Sequence, residues 1–351
     1  MDGAAIEEAI AFANANENRA SKDLLVAHAT SFGASEPFDT PIGPIKPRAA
    51  MNGLILRNGY VVAEWGDTKS VDMTFSVTKT FLSTVVGLAW QSGLIRDVHD
   101  PVRDYMPPGV DLFEDPHNQP ITWDHLLRQT SDWKGTLWGK PDWADRPEGE
   151  RSEWAEPKRH GAGARYEYND VRVNVLALAA LQVIRRPLPE VLREQIMEPI
   201  GASSTWRWHG YENSWIELDG RKVQSMTGGG HWGGGMFINA WDMARFGYLF
   251  LRNGRWKEKQ IVSEKWIQMA RTPGVEATYG YMNWFLNTGR KPLPSAPESS
   301  VTFRGNGANI IYIDWDNDLV VVVRWIGGGN ALDQFLGKVV NSIRPTTSQP
   351  Q

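Results

Sequence analysis

Two stretches of the sequence place a serine and a lysine three residues apart, Ser76-Val77-Thr78-Lys79 and Ser131-Asp132-Trp133-Lys134. On a helix that spacing stacks an amine one turn above a hydroxyl on the same face, which is what a serine nucleophile needs beside a proton acceptor. The first pair opens a run that is apolar on most faces (Phe81, Leu82, Val85, Val86, Leu88, Ala89), so a largely buried helix is predicted over 78–90. A helix N-terminus favours negative charge developing at Ser76, and a lysine desolvated in such a wall becomes a competent base. The competing reading is a helix-capping serine followed by a surface lysine. The second pair falls in a loop and has the look of a chance match.

A nucleophile also needs a base, an oxyanion hole and a wall against water. Tyr166-Glu167-Tyr168-Asn169-Asp170 precedes a predicted helix and offers a phenol and a carboxylate; its plain alternative is a buried tyrosine with a capping Asp170. Phe303-Arg304-Gly305-Asn306-Gly307 reads as a glycine-rich strand with backbone N–H groups to spare, or simply as a bulged edge strand. There is no Gly-x-Ser-x-Gly elbow, no His-Glu-x-x-His and no Walker loop. The glycine clusters Gly228–Gly230 and Gly233–Gly235 around His231-Trp232 lack the lysine and helix entry of a phosphate loop. No metal or organic cofactor is expected.

Several elements must position these groups. Helical spacing is predicted over 5–16, 122–129, 171–184, 189–197 and 331–343. Asn58-Gly59 between two apolar runs predicts a hairpin with a type I′ turn. A second hairpin is predicted around 316–318, its Val320–Val323 run apolar on both faces, and residues 279–285 alternate like a strand. The tail, 345–351, is expected to fray. The order suggests an α+β fold: an antiparallel sheet covered by N- and C-terminal helices (1–95 and 205–351), interrupted by a helical lobe (96–204), with a cleft between them.

Composition narrows the chemistry further. The chain has 351 residues, 41% hydrophobic and 22% charged, enough to build a sizeable core. It has no cysteine, which removes thiol nucleophiles, thiolate metal sites and disulfides. The net charge is −4 with signs interspersed, so nucleic acid is not an expected partner. No apolar run approaches bilayer-spanning length and Met1-Asp2-Gly3-Ala4 has no leader pattern, so a cytoplasmic chain away from membranes is expected. The 17 Trp suggest a Trp-rich core, with some indoles lining an aromatic cleft.

Taken in order, these segments resemble the serine β-lactamase and penicillin-binding-protein superfamily, above all class C β-lactamase-like esterases and related amidases. Phe75-Ser76-Val77-Thr78-Lys79-Thr80 is similar to its first motif, and Gly163-Ala164-Arg165-Tyr166-Glu167-Tyr168-Asn169-Asp170 to its second. Between them, Asp100-Pro101-Val102-Arg103-Asp104-Tyr105-Met106-Pro107 and Ile121-Thr122-Trp123-Asp124-His125-Leu126-Leu127-Arg128-Gln129-Thr130-Ser131 follow the family pattern. Gly234-Gly235-Met236 and Asp242-Met243-Ala244-Arg245-Phe246 come later in family order, and the likeness runs from about Asn52 to Ile343.

The resemblance implies an acyl-enzyme on Ser76, with Lys79 and Tyr168 sharing proton transfer and the backbone N–H groups of Ser76 and Asn306 forming the oxyanion hole. By position in related proteins, Trp133, Trp232, His231 and Phe303 are candidate cleft residues. Two departures matter. Where the family's third motif carries Lys or His before Thr-Gly, this chain has Phe303-Arg304-Gly305. Arg304 should then point away, because side chains alternate across a strand. Substrates bearing a carboxylate there, penicillins and peptidoglycan stems, are thereby disfavoured. Asp170 stands where Asn is usual. If it reaches Lys79, it would keep the ammonium charged and leave Tyr168, as phenolate, the principal base. The expected activity is a carboxylesterase on small or medium acyl esters. The alternatives are an amide hydrolase (D-amino-acid amidase or oligoamide hydrolase type), then a β-lactamase or D-peptidase, and a non-catalytic binding protein.

Overall fold

In the computed structural model, which describes residues 1–343, the expected fraying of 345–351 lies outside the described residues. Helix α1 (Gly3–Ala15) starts at Asp2, whose side chain accepts a hydrogen bond from the Ala5 N–H at 3.2 Å. Strands β1 (Asn52–Arg57) and β2 (Tyr60–Trp65) flank Asn58 and Gly59 at φ +50° and +80°, as a type I′ turn requires. Strands β3 (Asp72–Met73), β4 (Arg207–Leu218), β5 (Arg221–Met226) and β6 (Gly235–Ile238) form a small sheet in the order β3-β6-β4-β5. The main sheet is completed by β7 (Phe285–Leu286), β8 (Val301–Gly305), β9 (Asn309–Asp314) and β10 (Leu319–Arg324). Its order is β7-β8-β9-β10-β1-β2, antiparallel throughout.

The period-two alternation of β10 explains the layering. Leu319, Val321 and Val323 pack with Ile6, Phe335 and Leu336 beneath α1 and the terminal helix (Ala331–Asn341). Val320 and Val322 face the other way, toward Phe246 and Phe250 of the helix Ala240–Leu251. A strand buried on both faces carries no polar alternation, hence the unbroken valine run. The guanidinium of Arg324, fully buried at the end of β10, joins the two sheets. It donates to the carbonyls of Ile238 at 2.6 Å and Met73 at 3.0 Å and to Asn309 Oδ1 at 2.8 Å.

The helix Thr78–Gln91 is buried along nearly its whole length and packs against the helix Asp170–Ile184. Helices at Trp123–Leu127 and Leu188–Leu192 stand where spacing predicted them, the latter continuing through a wider turn over Arg193–Met197. Two details differ from expectation. A small hairpin, Thr136–Leu137 with Lys140–Pro141, sits inside the helical stretch; two-residue strands leave no periodic signal. Residues 279–284 are a loop rather than a strand. Asn283 adopts φ +66°, and the Gly280 N–H bonds back to the Trp284 carbonyl at 2.9 Å, so only Phe285–Leu286 joins the sheet. Among the described residues no helix is long and apolar enough to cross a membrane.

Candidate active site

The helix Thr78–Gln91 is entered through a 3-10 turn, Phe75–Val77, and Phe75 sits at φ +49°. For a side chain with a Cβ this left-handed conformation costs of order 1–3 kcal/mol and persists only where the surroundings hold it. The holding contacts are visible. Thr78 Oγ1 donates to the Phe75 carbonyl at 2.6 Å and accepts from the Met236 N–H at 2.9 Å. The Phe75 ring meets Trp325 edge-on. The turn presses Ser76 against the end of β8, where a Cβ on Gly305 would lie 1.9 Å from the Thr74 carbonyl oxygen and 3.3 Å from the Ser76 nitrogen. Only glycine fits there, which is the physical reason for the glycine of the third motif.

Lys79, one turn along, has a fully buried side chain. Its ammonium donates to Ser76 Oγ at 2.9 Å and, in a closer contact, to Asp170 Oδ1. Asp170 is the first residue of the helix Asp170–Ile184, and Asn169 caps that helix by accepting from the Arg172 N–H at 3.0 Å. The other Asp170 oxygen accepts from Arg146 Nη1 at 3.1 Å. Burial pushes the Asp170 carboxyl up, but Lys79, Arg146 and His231 outweigh it and hold the group well below the usual carboxylate range. The expected contact between Asp170 and Lys79 is therefore present.

Tyr168 lies between the two cations, its ring centroid 4.7 Å from Lys79 Nζ and 4.9 Å from the Arg146 guanidinium. Here the expectation of a resting phenolate is corrected. Burial, and next the Asp170 charge, push the phenol far above its ordinary value, while Arg146 and a Ser76 hydrogen bond only partly offset them. The cationic charge that would have stabilised a phenolate is already committed to Asp170. Tyr168 rests as a neutral phenol.

Behind Asp170 lies a second layer that spacing did not signal. Asp145 accepts from the Asp170 N–H and from Arg146 Nη1. His231 Nε2 is 2.6 Å from Glu36 Oε2, and its Nδ1 is 3.7 Å from Asp145 Oδ1 and 3.6 Å from Asp170 Oδ2. Gly229 closes over the ion pair: a Cβ there would fall 1.7 Å from Asp170 Oδ1 and 2.5 Å from Lys79 Nζ. That close approach accounts for one of the glycine clusters left unexplained by the sequence. Asp145, Arg146 and Glu36 come from irregular segments whose positions depend on tertiary packing, so no periodicity marks them.

The fold thus brings Ser76, Lys79, Tyr168, Asp170 and Gly305 together. Asn306 follows at the exposed start of a turn, its side chain accepting from the Gly307 N–H at 3.0 Å. Three expected cleft residues are instead packed inside. Trp133 donates its indole N–H to the Leu112 carbonyl at 2.7 Å, Trp232 is covered by Lys140 over its ring, and Phe303 stacks among Phe246, Phe250 and Trp284. Apolar surface of that size is removed from water wherever it can be, and here neighbouring rings complete the burial. His231 is likewise buried and faces the ion-pair network rather than a cleft. Arg304 lies on the face of β8 opposite Phe303, bonded to Thr302 Oγ1 at 2.6 Å and resting on the Phe285 ring. The second Ser-x-x-Lys pair separates: Ser131 is buried, while Lys134 reaches out to Asp115. A cleft of about 980 Å³, lined by Trp143, Arg146, Glu148, Trp154, Tyr166 and Tyr168 among others, opens beside the tyrosine.

A family model described as beta-lactamase matches residues 51–332. Among solved structures the chain is similar to a β-lactamase from Mycobacterium bovis, with 20% identity, 85% of this chain and 95% of that one covered, and a TM-score of 0.58. It is also similar to a β-lactamase/D-alanine carboxypeptidase from Yersinia pestis, with 19% identity, coverage of 91% and 98%, and a TM-score of 0.57. A Bacillus anthracis protein provisionally named a 6-aminohexanoate-dimer hydrolase gives 17% identity, coverage of 83% and 78%, and a TM-score of 0.60. At such identities these likenesses speak to the fold alone. No curated protein matches the sequence.

Proposed function

The chain belongs to the beta-lactamase family of serine hydrolases, and from that premise we propose that it is a carboxylesterase acting on small or medium acyl esters through an acyl-enzyme on Ser76. The observation that carries this reading is the 2.9 Å contact from Lys79 Nζ to Ser76 Oγ, with the ammonium anchored by Asp170 and Tyr168 alongside. Ser76 Oγ attacks the ester carbonyl and the carbonyl π electrons move onto oxygen; they return as the intermediate collapses, breaking the C–O bond to the alcohol and leaving the acyl group on Oγ. Because Tyr168 is a neutral phenol, it works as a shuttle: it takes the Ser76 proton as it passes its own to the departing alkoxide oxygen. Lys79 stays cationic and stabilises the charge developing on Oγ. Water then attacks the acyl group, the acyl–Oγ bond breaks to release the acid, and Tyr168 moves the water proton back to Ser76 Oγ. Backbone N–H groups at Ser76 and Asn306 are the proposed oxyanion donors.

Phe303 supports the ester preference. The strand position that carries a cation in the family's third motif is here an apolar ring inside the core, so it offers no charge to a substrate carboxylate. Amide hydrolysis is the second reading, favoured by the likeness to the Bacillus anthracis protein named for an amide substrate. Hydrolysis of p-nitrophenyl butyrate by wild type and Ser76→Ala is the test. Turnover that vanishes in the variant supports the assignment, and turnover that survives overturns it. Inertness of the wild type to esters, with phosphonate labelling of Ser76 retained, favours the amidase. Without labelling, the chain would be a binding protein on this fold.

A further inference from the structure

Residues 36–44 precede the stretch matched by the family model and lie across the glycine-rich loop of the site. The N–H groups of Ile42 and Gly43 both donate to the Trp232 carbonyl at 3.0 Å, and the Gly234 N–H donates to the Pro44 carbonyl at 2.9 Å. Lys140 reaches out of its short hairpin to the carbonyls of Phe38 and Thr40, at 2.5 and 2.8 Å. The His28 ring bonds the Asp39 carbonyl at 2.7 Å. This strap is thus tied down from three directions, and it delivers one charged side chain inward, Glu36.

Glu36 meets His231, whose side chain is 1% exposed. Phe32 and Trp232 pack against the imidazole, at 4.2 and 4.4 Å between centroids. The charged groups facing the ring are Glu36 from the strap, Asp145 with Arg146 from the loop before Tyr168, and Asp170 from its helix, with Lys79 beyond it. Nε2 is committed to Glu36. Nδ1 has no hydrogen-bond partner among the described residues and points at the oxygens of two carboxylates, 3.6 and 3.7 Å away. In a neutral imidazole with its proton on Nε2, a lone pair on Nδ1 would face those oxygens, and lone pair against carboxylate is repulsive. A proton on Nδ1 turns both contacts attractive. Asp145 is poorly placed to supply that proton itself, because one of its oxygens accepts from Arg146 and the other from the Asp170 N–H. Charge counting agrees. Burial pushes the Asp145 carboxyl up, but donors on both of its oxygens keep it an acceptor, so Glu36, Asp145 and Asp170 carry three negative charges against two on Lys79 and Arg146, and an imidazolium makes the buried cluster neutral. A divalent cation in its place would leave the cluster positive.

We propose that Glu36 and His231 form a positioning pair, in which Glu36 holds His231 as the imidazolium behind Asp170 and so keeps Asp170 directed at Lys79 for the reaction at Ser76. The pair touches neither substrate nor the reacting atoms. The proposal rests on the serine-hydrolase reading for its kinetic consequence, and on geometry alone for the charge of the ring.

Nitrogen NMR of histidine-labelled full-length protein reads that charge directly, His231→Gln identifying the resonances. The expected result is two protonated ring nitrogens in the wild type at the pH of maximal hydrolysis. A neutral ring there overturns the proposal, and this measurement needs no variant to be active. In Glu36→Gln the ring loses the carboxylate that helps hold its second proton, and the alkaline limb of kcat should move to lower pH. At pH values above the wild-type limb the variant should show a roughly tenfold loss of kcat while KM stays within about twofold. In His231→Gln that limb should disappear. A Glu36→Gln profile that superimposes on wild type, with an unchanged melting temperature, overturns the pair. A wild type inert to esters and phosphonates sinks the hydrolase reading instead, leaving the ring's charge to be read on its own.

Discussion

Gly229→Ala tests the tightest geometry of the site. The added methyl carbon would start 1.7 Å from Asp170 Oδ1, whereas ordinary contact begins at 3.4 Å, so the carboxylate must retreat by about 1.7 Å. It has nowhere to retreat without cost, because Arg146, Asp145 and His231 fill the space behind it and all three are engaged with it. The retreat therefore takes Asp170 out of hydrogen-bond reach of Lys79, and Lys79 loses the anchor that fixes it on Ser76. A misplacement of about 1 Å in a reacting constellation costs on the order of 100-fold, so kcat should fall by at least that factor. Overpacking should also lower stability by roughly 1–3 kcal/mol, which leaves the protein folded at 25 °C. Initial rates on p-nitrophenyl butyrate and the rate of phosphonate labelling measure the first effect, and urea unfolding the second. Gly228→Ala is the control. Its methyl would meet Val173 Cγ1 at 2.2 Å and Leu82 Cδ2 at 3.1 Å, an apolar clash that strains the core away from the ion pair. It should cost a similar roughly 1–3 kcal/mol while kcat stays within about tenfold. A Gly229→Ala enzyme with kcat within roughly threefold of wild type would refute the reasoning, since the site would then tolerate a displaced Asp170.

Three further outcomes are expected. Asp170→Asn leaves Lys79 and Arg146 short of a buried counter-charge and should cost about 3–5 kcal/mol at neutral pH. The native Asp170 carboxyl is held below its ordinary value, so its stabilisation is complete above the unfolded value near 4 and is lost as pH falls through the lower native one. The gap between wild type and variant should accordingly narrow in acid urea titrations. The acidic limb of the pH–rate profile should shift as well, and an unmoved limb would contradict the role given to the pair. Tyr168→Phe should lower kcat by roughly 100- to 10,000-fold with little change in KM, as loss of a proton shuttle does; equal loss in both parameters would point to substrate binding instead. Lys140→Met strips the carbonyls of Phe38 and Thr40 of their donor, at a cost of about 1–3 kcal/mol, and should expose 36–44 to limited proteolysis before the rest of the chain unfolds.

Much of this architecture is legible in the sequence because it is written in local terms. Asn58-Gly59 specifies a turn, the valines of β10 specify a strand covered on both faces, and the apolar run after Thr78 specifies a buried helix. Ser76 and Lys79 are one turn apart on one helix, and Tyr168 and Asp170 stand at the start of another, so both halves of the proposed machinery could be read before they were seen together. What spacing cannot carry is contact between segments far apart in the chain. Asp145, Arg146 and Glu36 reach the site from loops, and nothing near them in sequence marks them as partners of Asp170. The indoles escape a local reading for a related reason. A tryptophan beside a site motif has the same local signature whether it lines the cleft or, like Trp133 and Trp232, fills the core behind it. The loop at 279–284 alternates like a strand, yet Asn283 turns it back on itself, because a left-handed residue ends the register that alternation alone would predict.

The pairing of β1 with β10 bears on how the protein is made. Asn52–Arg57 sits at the middle of the sheet, yet one of its two neighbours is Leu319–Arg324, which leaves the ribosome long after it. Until Leu319–Arg324 emerges, Leu54, Ile55 and the apolar helix that follows have no complete sheet to close upon and must be kept from sticking to other chains. Closure over so long a separation is also slow, so refolding from denaturant should be limited by this step. A chain cut before Leu319 would leave β1 with an open edge, and Ser76 at the head of a helix with half its foundation missing.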